Sequence, residues 1–102
     1  MLHAIEVLPR AQKQLQSIYR YLVDEFGERT TDRFQDEVET LAEMLLKYPE
    51  SGHIEQVTTS SRRLYRSRIV GKYNKMVYFV SGQTLYIAAF WDMRMHPDKL
   101  KL

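Results

Sequence analysis

An α+β domain, with a helical hairpin packed on one face of a small antiparallel-rich sheet, is the fold class the sequence predicts. Three observations carry it. A short β-branched segment opens the chain, two stretches with apolar residues every three or four positions follow, and three runs rich in Tyr, Val, Ile and Phe close the order β-α-α-β-β-β. The 102 residues fit a single domain over 1–102, and with 44% of them hydrophobic the chain can build a core that needs neither metal nor disulfide.

The opening segment His3-Ala4-Ile5-Glu6-Val7-Leu8 partly alternates and stops at Pro9, which predicts a strand. Pro9 then suits the first turn of a helix, where its missing N–H has no internal partner in any case. From there Ala11, Leu15, Ile18, Leu22 and Phe26 recur at helical spacing up to Gly27, with Lys13, Gln16, Arg20 and Asp24 on the other face. Thr30 or Thr31 is expected to cap a second helix carrying Phe34, Val38, Leu41 and Leu45 on one stripe, ended by Pro49. Tyr48-Pro49 reads as packing at that helix end.

Residues 51–61 read as a loop, because Gly52 and the run Thr58-Thr59-Ser60-Ser61 supply turn residues. Three strands are expected over 62–70, 73–80 and 84–93, joined by tight turns at Gly71-Lys72 and Ser81-Gly82-Gln83. A polar tail begins at His96, and Pro97 ends the last strand.

Composition narrows the function classes. The chain has no cysteine, which removes thiolate chemistry, disulfides and cysteine-held zinc. His3 and His53 lack the spacing of a metal site, so no metal and no cofactor are expected. No stretch approaches the roughly 20 apolar residues of a membrane helix, and none opens the chain as a signal peptide, so a cytoplasmic protein without a membrane partner is expected. Charge is asymmetric. Residues 1–50 hold six Lys and Arg against ten Asp and Glu, a net of −4, whereas 51–102 hold nine against three, a net of +6. A basic half of this kind suits an anionic partner, nucleic acid or an acidic protein surface.

Strand alternation sharpens that expectation. Over 62–70 it separates Leu64, Arg66 and Arg68 from Tyr65, Ser67 and Ile69, and unpaired arginines are costly to bury. Tyr65 and Ile69 are therefore expected to face the helices, and Arg66 and Arg68 the open side of the sheet. Lys75 is expected to join them, and Arg94 to complete a cluster of four cations, with Asp92 as a possible partner of Arg94. Such a cluster suits a phosphate backbone; the alternative is a solvated face whose cations discourage edge pairing. Trp91, Tyr65, Tyr73 and Tyr78 are candidates for stacking on bases, with core packing as the competing role. His96 is a candidate for proton transfer, or else a solvated tail residue.

The order of elements, the segment Leu8-Pro9-Arg10-Ala11, the helix Leu15-x-x-Ile18-x-x-Tyr21-Leu22, Pro49-x-x-Gly52, the strand Tyr73-Asn74-Lys75-Met76-Val77-Tyr78-Phe79-Val80 and the ending Phe90-Trp91-Asp92-Met93-Arg94-Met95-His96-Pro97 together resemble the RelE/ParE superfamily of type II toxin–antitoxin toxins, which includes many plasmid-stabilisation proteins. The likeness spans nearly the whole chain. It implies growth inhibition and a cognate antitoxin as partner. The RelE branch implies ribosome-dependent cleavage of mRNA without a metal: Arg66, Arg68 and Arg94 would stabilise phosphoryl charge, Lys75 would act as base and His96 as acid. Ribosome and mRNA would then be partners. Asn74-Lys75 departs from that branch's Tyr-Arg pair and loses the bidentate fork, and the branch's C-terminal tyrosine is missing. The ParE branch shares the fold but implies a non-enzymatic inhibitor that binds DNA gyrase; a third reading, a toxin-fold protein acting as a plain RNA-binding or interaction module, needs neither activity.

Overall fold

The computed structural model describes residues 2–56 and 63–94. Ala4–Val7 forms the first strand, β1, and Pro9 starts helix α1, Pro9–Phe26. Gly27 ends α1 at φ +88° and its N–H caps the Val23 carbonyl, so the chain reverses within one residue into α2, Glu28–Lys47. The second helix thus begins earlier than its threonines suggest. Thr31 does not cap it; the Thr31 hydroxyl is buried and donates back to the Gly27 carbonyl at 3.0 Å. Beyond Lys47 the chain makes a 3-10 turn at Pro49–Ser51, with Tyr48 left exposed instead of packed at the helix end.

The segment read as a loop opens with a two-residue strand, β2, His53–Ile54, before residues 57–62, which lie outside the described part. Arg66–Val70, Asn74–Ser81 and Thr84–Asp92 are β3, β4 and β5. The five strands lie in the order β1-β5-β4-β3-β2. All neighbours are antiparallel except β1 and β5, which run parallel because α1 and α2 intervene between β1 and the rest of the sheet.

Both faces of this sheet are dry in part. The helix side buries Ala11, Phe34, Val38 and Leu45 against Val70, Met76, Tyr78, Leu85, Ile87 and Phe90. The far side carries its own apolar cluster of Tyr65, Val77, Phe79, Ala88, Ala89 and Trp91. A register break in the β4–β5 ladder opposite Val77 and Tyr78 lets Ala88 and Ala89 both join the far side. Such a bulge resets the alternation, and it returns Phe90 to the helix side although Tyr86 and Ala88 lie across the sheet. Gly71 turns β3 into β4 at φ +67°, with the Phe34 ring so close that a Cβ would fall 2.7 Å from it.

Candidate functional site

The four cations expected to gather on the open face do not gather. Arg66 pairs with Tyr78 and Arg68 with Met76 in the β3–β4 ladder, and Tyr78, Met76 and Val70 are core residues on the helix side. Arg66 and Arg68 therefore flank the helices, while Tyr65 is buried on the opposite face and Ile69 is 63% exposed. The expected assignment of faces is reversed. Burying unpaired arginines is costly, but both are only half-buried here, and the chain supplies partners for Arg66: one guanidinium nitrogen donates to the Glu50 carbonyl at 3.1 Å and to the Gly52 carbonyl at 3.0 Å. Arg68 lines a shallow cleft with Asp36 and Glu37 of α2.

Lys75 points the other way, sharing its face with Val77 and Phe79. Its ammonium donates to Glu55 at 2.6 Å, and Ser67 donates to the other carboxylate oxygen at 2.7 Å. Burial pushes the Glu55 carboxyl up, but the hydrogen bonds from Lys75 and Ser67 outweigh it and hold the group below its ordinary range. Like-charged neighbours were expected around Lys75; a carboxylate occupies that place instead. Glu55 was missed because it sits in the segment read as a loop. One signal was available: the basic half has only three acidic residues, Glu55, Asp92 and Asp98.

Arg94 lies just past β5 and forms a fork with Asp92, its Nε at 3.0 Å and an Nη at 2.6 Å from the carboxylate. Hydrogen bonds from the Arg94 side chain and backbone hold the Asp92 carboxyl below its ordinary range. The guanidinium also stacks 4.3 Å above the Tyr73 ring, and Met93 N–H ties back to the Tyr73 carbonyl at 2.7 Å. Thus Lys75 and Arg94 stand on different sides of the sheet, each bound to a carboxylate of its own chain. His96 lies outside the described residues.

Of the aromatic candidates, Tyr65, Tyr78 and Trp91 are core residues. Tyr78 also serves the backbone: its hydroxyl donates to the Pro49 carbonyl at 2.7 Å and accepts the Gly52 N–H at 3.1 Å. Tyr73 alone among the four is substantially exposed, at 41%, and it borders a groove of about 1170 Å³ between the helical hairpin and the Asp92 end of β5. Ile18, Leu22, Phe34 and Phe90 give this groove an apolar floor. Tyr21, Phe26 and Tyr73 rim it with exposed aromatic rings, and Arg33, Lys72 and Arg94 add three cations beside Glu37 and Asp92. Glu37 is engaged, accepting the Gly71 N–H at 3.0 Å, and Asp92 is engaged with Arg94. An amphipathic protein segment with apolar anchors and a carboxylate fits such a surface better than a phosphate chain does.

Among curated proteins none matches the chain. The fold is similar to a solved chain described as the chromosomal ParDE TA system from P. aeruginosa, with a TM-score of 0.67 over 89% of this chain and 96% of that one; at 14% identity the likeness is one of fold. No described helix is long and apolar enough to cross a membrane. At the level of sequence, the model of the ParE toxin of the type II toxin–antitoxin system parDE matches residues 5–97, and the chain belongs to that toxin family.

Proposed function

We propose that this toxin acts by docking on a protein target, DNA gyrase, and does no chemistry of its own. The observation that carries this reading is the dispersal of the four cations: Lys75 and the Arg66–Arg68 pair lie on opposite faces of the sheet, and Arg66, Lys75 and Arg94 are each held by groups of the same chain. A transphosphorylating nuclease needs its charge-stabilising groups around one phosphate and a base within hydrogen-bond reach of the 2′-hydroxyl. No surface among the described residues offers that set. On this reading Arg66 and Lys75 are structural, and the groove rimmed by Tyr21, Phe26 and Tyr73 is the docking surface. Gyrase as the target follows the ParE branch of the resemblance. A cognate antitoxin, encoded with the toxin, would neutralise it by tight association.

Two assays run side by side test the reading. Purified toxin is expected to trap gyrase–DNA complexes and depress supercoiling, while a reporter message in a translating extract stays intact by primer extension. In-frame cleavage of the message that disappears in Lys75→Ala and Arg94→Ala, with gyrase untouched, would overturn it and restore the nuclease.

A further inference from the structure

The two edges of the sheet are protected unequally. One edge, β2, is only two residues long, a length that offers little to a foreign strand. The other, β1, is four residues long, with Ala4, Ile5 and Glu6 exposed and a single charge, Glu6. It carries no lysine, proline or bulge to discourage pairing.

Its outward hydrogen-bonding groups can be read from the ladder. Leu8 N–H donates to the Ile87 carbonyl at 2.9 Å, so in the parallel β1–β5 pairing Ala4 and Glu6 turn their backbone groups toward β5, while the Leu8 carbonyl accepts the Gln12 N–H at the start of α1. His3, Ile5 and Val7 turn theirs outward by alternation. Two of those six outward groups are already engaged: the Val7 carbonyl accepts the Gln12 amide at 2.8 Å, and His3 N–H bends back to the Gln83 carbonyl at 2.8 Å. What is left is the His3 carbonyl, both groups of Ile5 and the Val7 N–H.

That remainder is self-complementary. In an antiparallel pairing of two copies about a two-fold axis at Ile5, each Ile5 N–H meets the other Ile5 carbonyl and each Val7 N–H meets the other His3 carbonyl. The engaged pair, His3 N–H and the Val7 carbonyl, are the two groups that such a register would set against each other, so the pairing leaves no edge group newly unmatched. Side chains agree with it. Ile5, 37% exposed, falls opposite Ile5 of the other copy, and Glu6 falls opposite Ala4, so that no like charges face one another.

We infer that the β1 edge is a homodimerisation surface, joining two copies of this chain into one ten-stranded sheet with both helical hairpins on the same side. Four main-chain hydrogen bonds and one isoleucine pair make an interface well below the roughly 1,000 Å² of a permanent one, so the dimer is a concentration-dependent one. It stands or falls independently of the gyrase reading.

Sedimentation velocity of the full chain from about 10 µM to about 1 mM tests this, since the range brackets weak association. The wild type is expected to shift from monomer toward dimer across it. Ile5→Pro removes only an outward N–H, and Ile5→Lys places charges across the axis; both are expected to stay monomeric with an unchanged far-ultraviolet spectrum. Should Ile5→Pro fold poorly, amide exchange of the wild type decides: Ile5 and Val7 are expected to slow at least about tenfold between the two concentrations while Glu6 stays equally protected. A monomer throughout, or a dimer that persists in both variants with Ile5 exchange unchanged, would overturn the assignment.

Discussion

Lys75 on β4 and Glu55, just past β2, form a 2.6 Å ion pair on the sheet face turned away from the helices, with their side chains only 20% and 15% exposed. The pair makes the short edge strand part of the fold, because Glu55 N–H also donates to the Tyr65 carbonyl at 2.8 Å. It also removes the lysine that the nuclease reading needs as a base.

A pH dependence follows from the depressed Glu55 carboxyl. A folded-state pKa held below the ordinary 4.5 contributes stability above pH 4.5, and that contribution is lost as the pH falls through the lower folded value. Wild type is therefore expected to lose urea resistance below pH 4.5 more steeply than Glu55→Gln, which is weaker at neutral pH but flatter. Parallel pH profiles for the two proteins would contradict it. Lys75→Ala, which leaves the partly buried carboxylate with Ser67 alone, is expected to lower stability at pH 7 by about 1–3 kcal/mol.

The Tyr78 hydroxyl makes a second measurable link. Tyr78→Phe leaves the Gly52 N–H and the Pro49 carbonyl without their partner, and should lower stability by about 1–3 kcal/mol in thermal or urea unfolding. Gly52→Ala attacks the same contact from the other side: a Cβ there would lie 2.5 Å from the Tyr78 hydroxyl and 2.8 Å from the Ser67 carbonyl. Since Gly52 has an ordinary φ of −80°, its cost is one of space, about 1–3 kcal/mol.

Gly71 and Gly82 separate conformational from steric effects. Both have positive φ, +67° and +62°, but a Cβ at Gly71 would fall 2.7 Å from the Phe34 ring and one at Gly82 meets nothing within 4 Å. Gly82→Ala is expected to cost about 1 kcal/mol, and Gly71→Ala more, because Phe34 belongs to the packed core. Equal melting temperatures for the two variants would show that Phe34 yields freely.

Element order was legible in the sequence because helical and strand periods are written in every turn of apolar residues, from Ala11 to Phe26 and from Phe34 to Leu45. The site was not, and three physical reasons account for it. Alternation tells which residues share a face but not which face is covered, and here Tyr65, Phe79 and Trp91 make the second face apolar as well. The bulge beside Ala88 breaks the alternation within β5. The partners of Arg66 are the backbone carbonyls of Glu50 in the 3-10 turn and of Gly52 just past it, and that of Lys75 is a carboxylate 20 positions earlier; neither contact has a local signature. The parallel placement of β1 beside β5 is likewise a product of packing.

If the toxin docks through the groove, Tyr73 and not Lys75 carries its action. Supercoiling by purified gyrase should be measured with equal amounts of wild type, Tyr73→Ser and Lys75→Met, each first shown to be folded. Inhibition is expected to fall at least about tenfold, roughly 1.4 kcal/mol of binding, in Tyr73→Ser and to persist in Lys75→Met. Full inhibition by Tyr73→Ser together with its loss in Lys75→Met would contradict the claim.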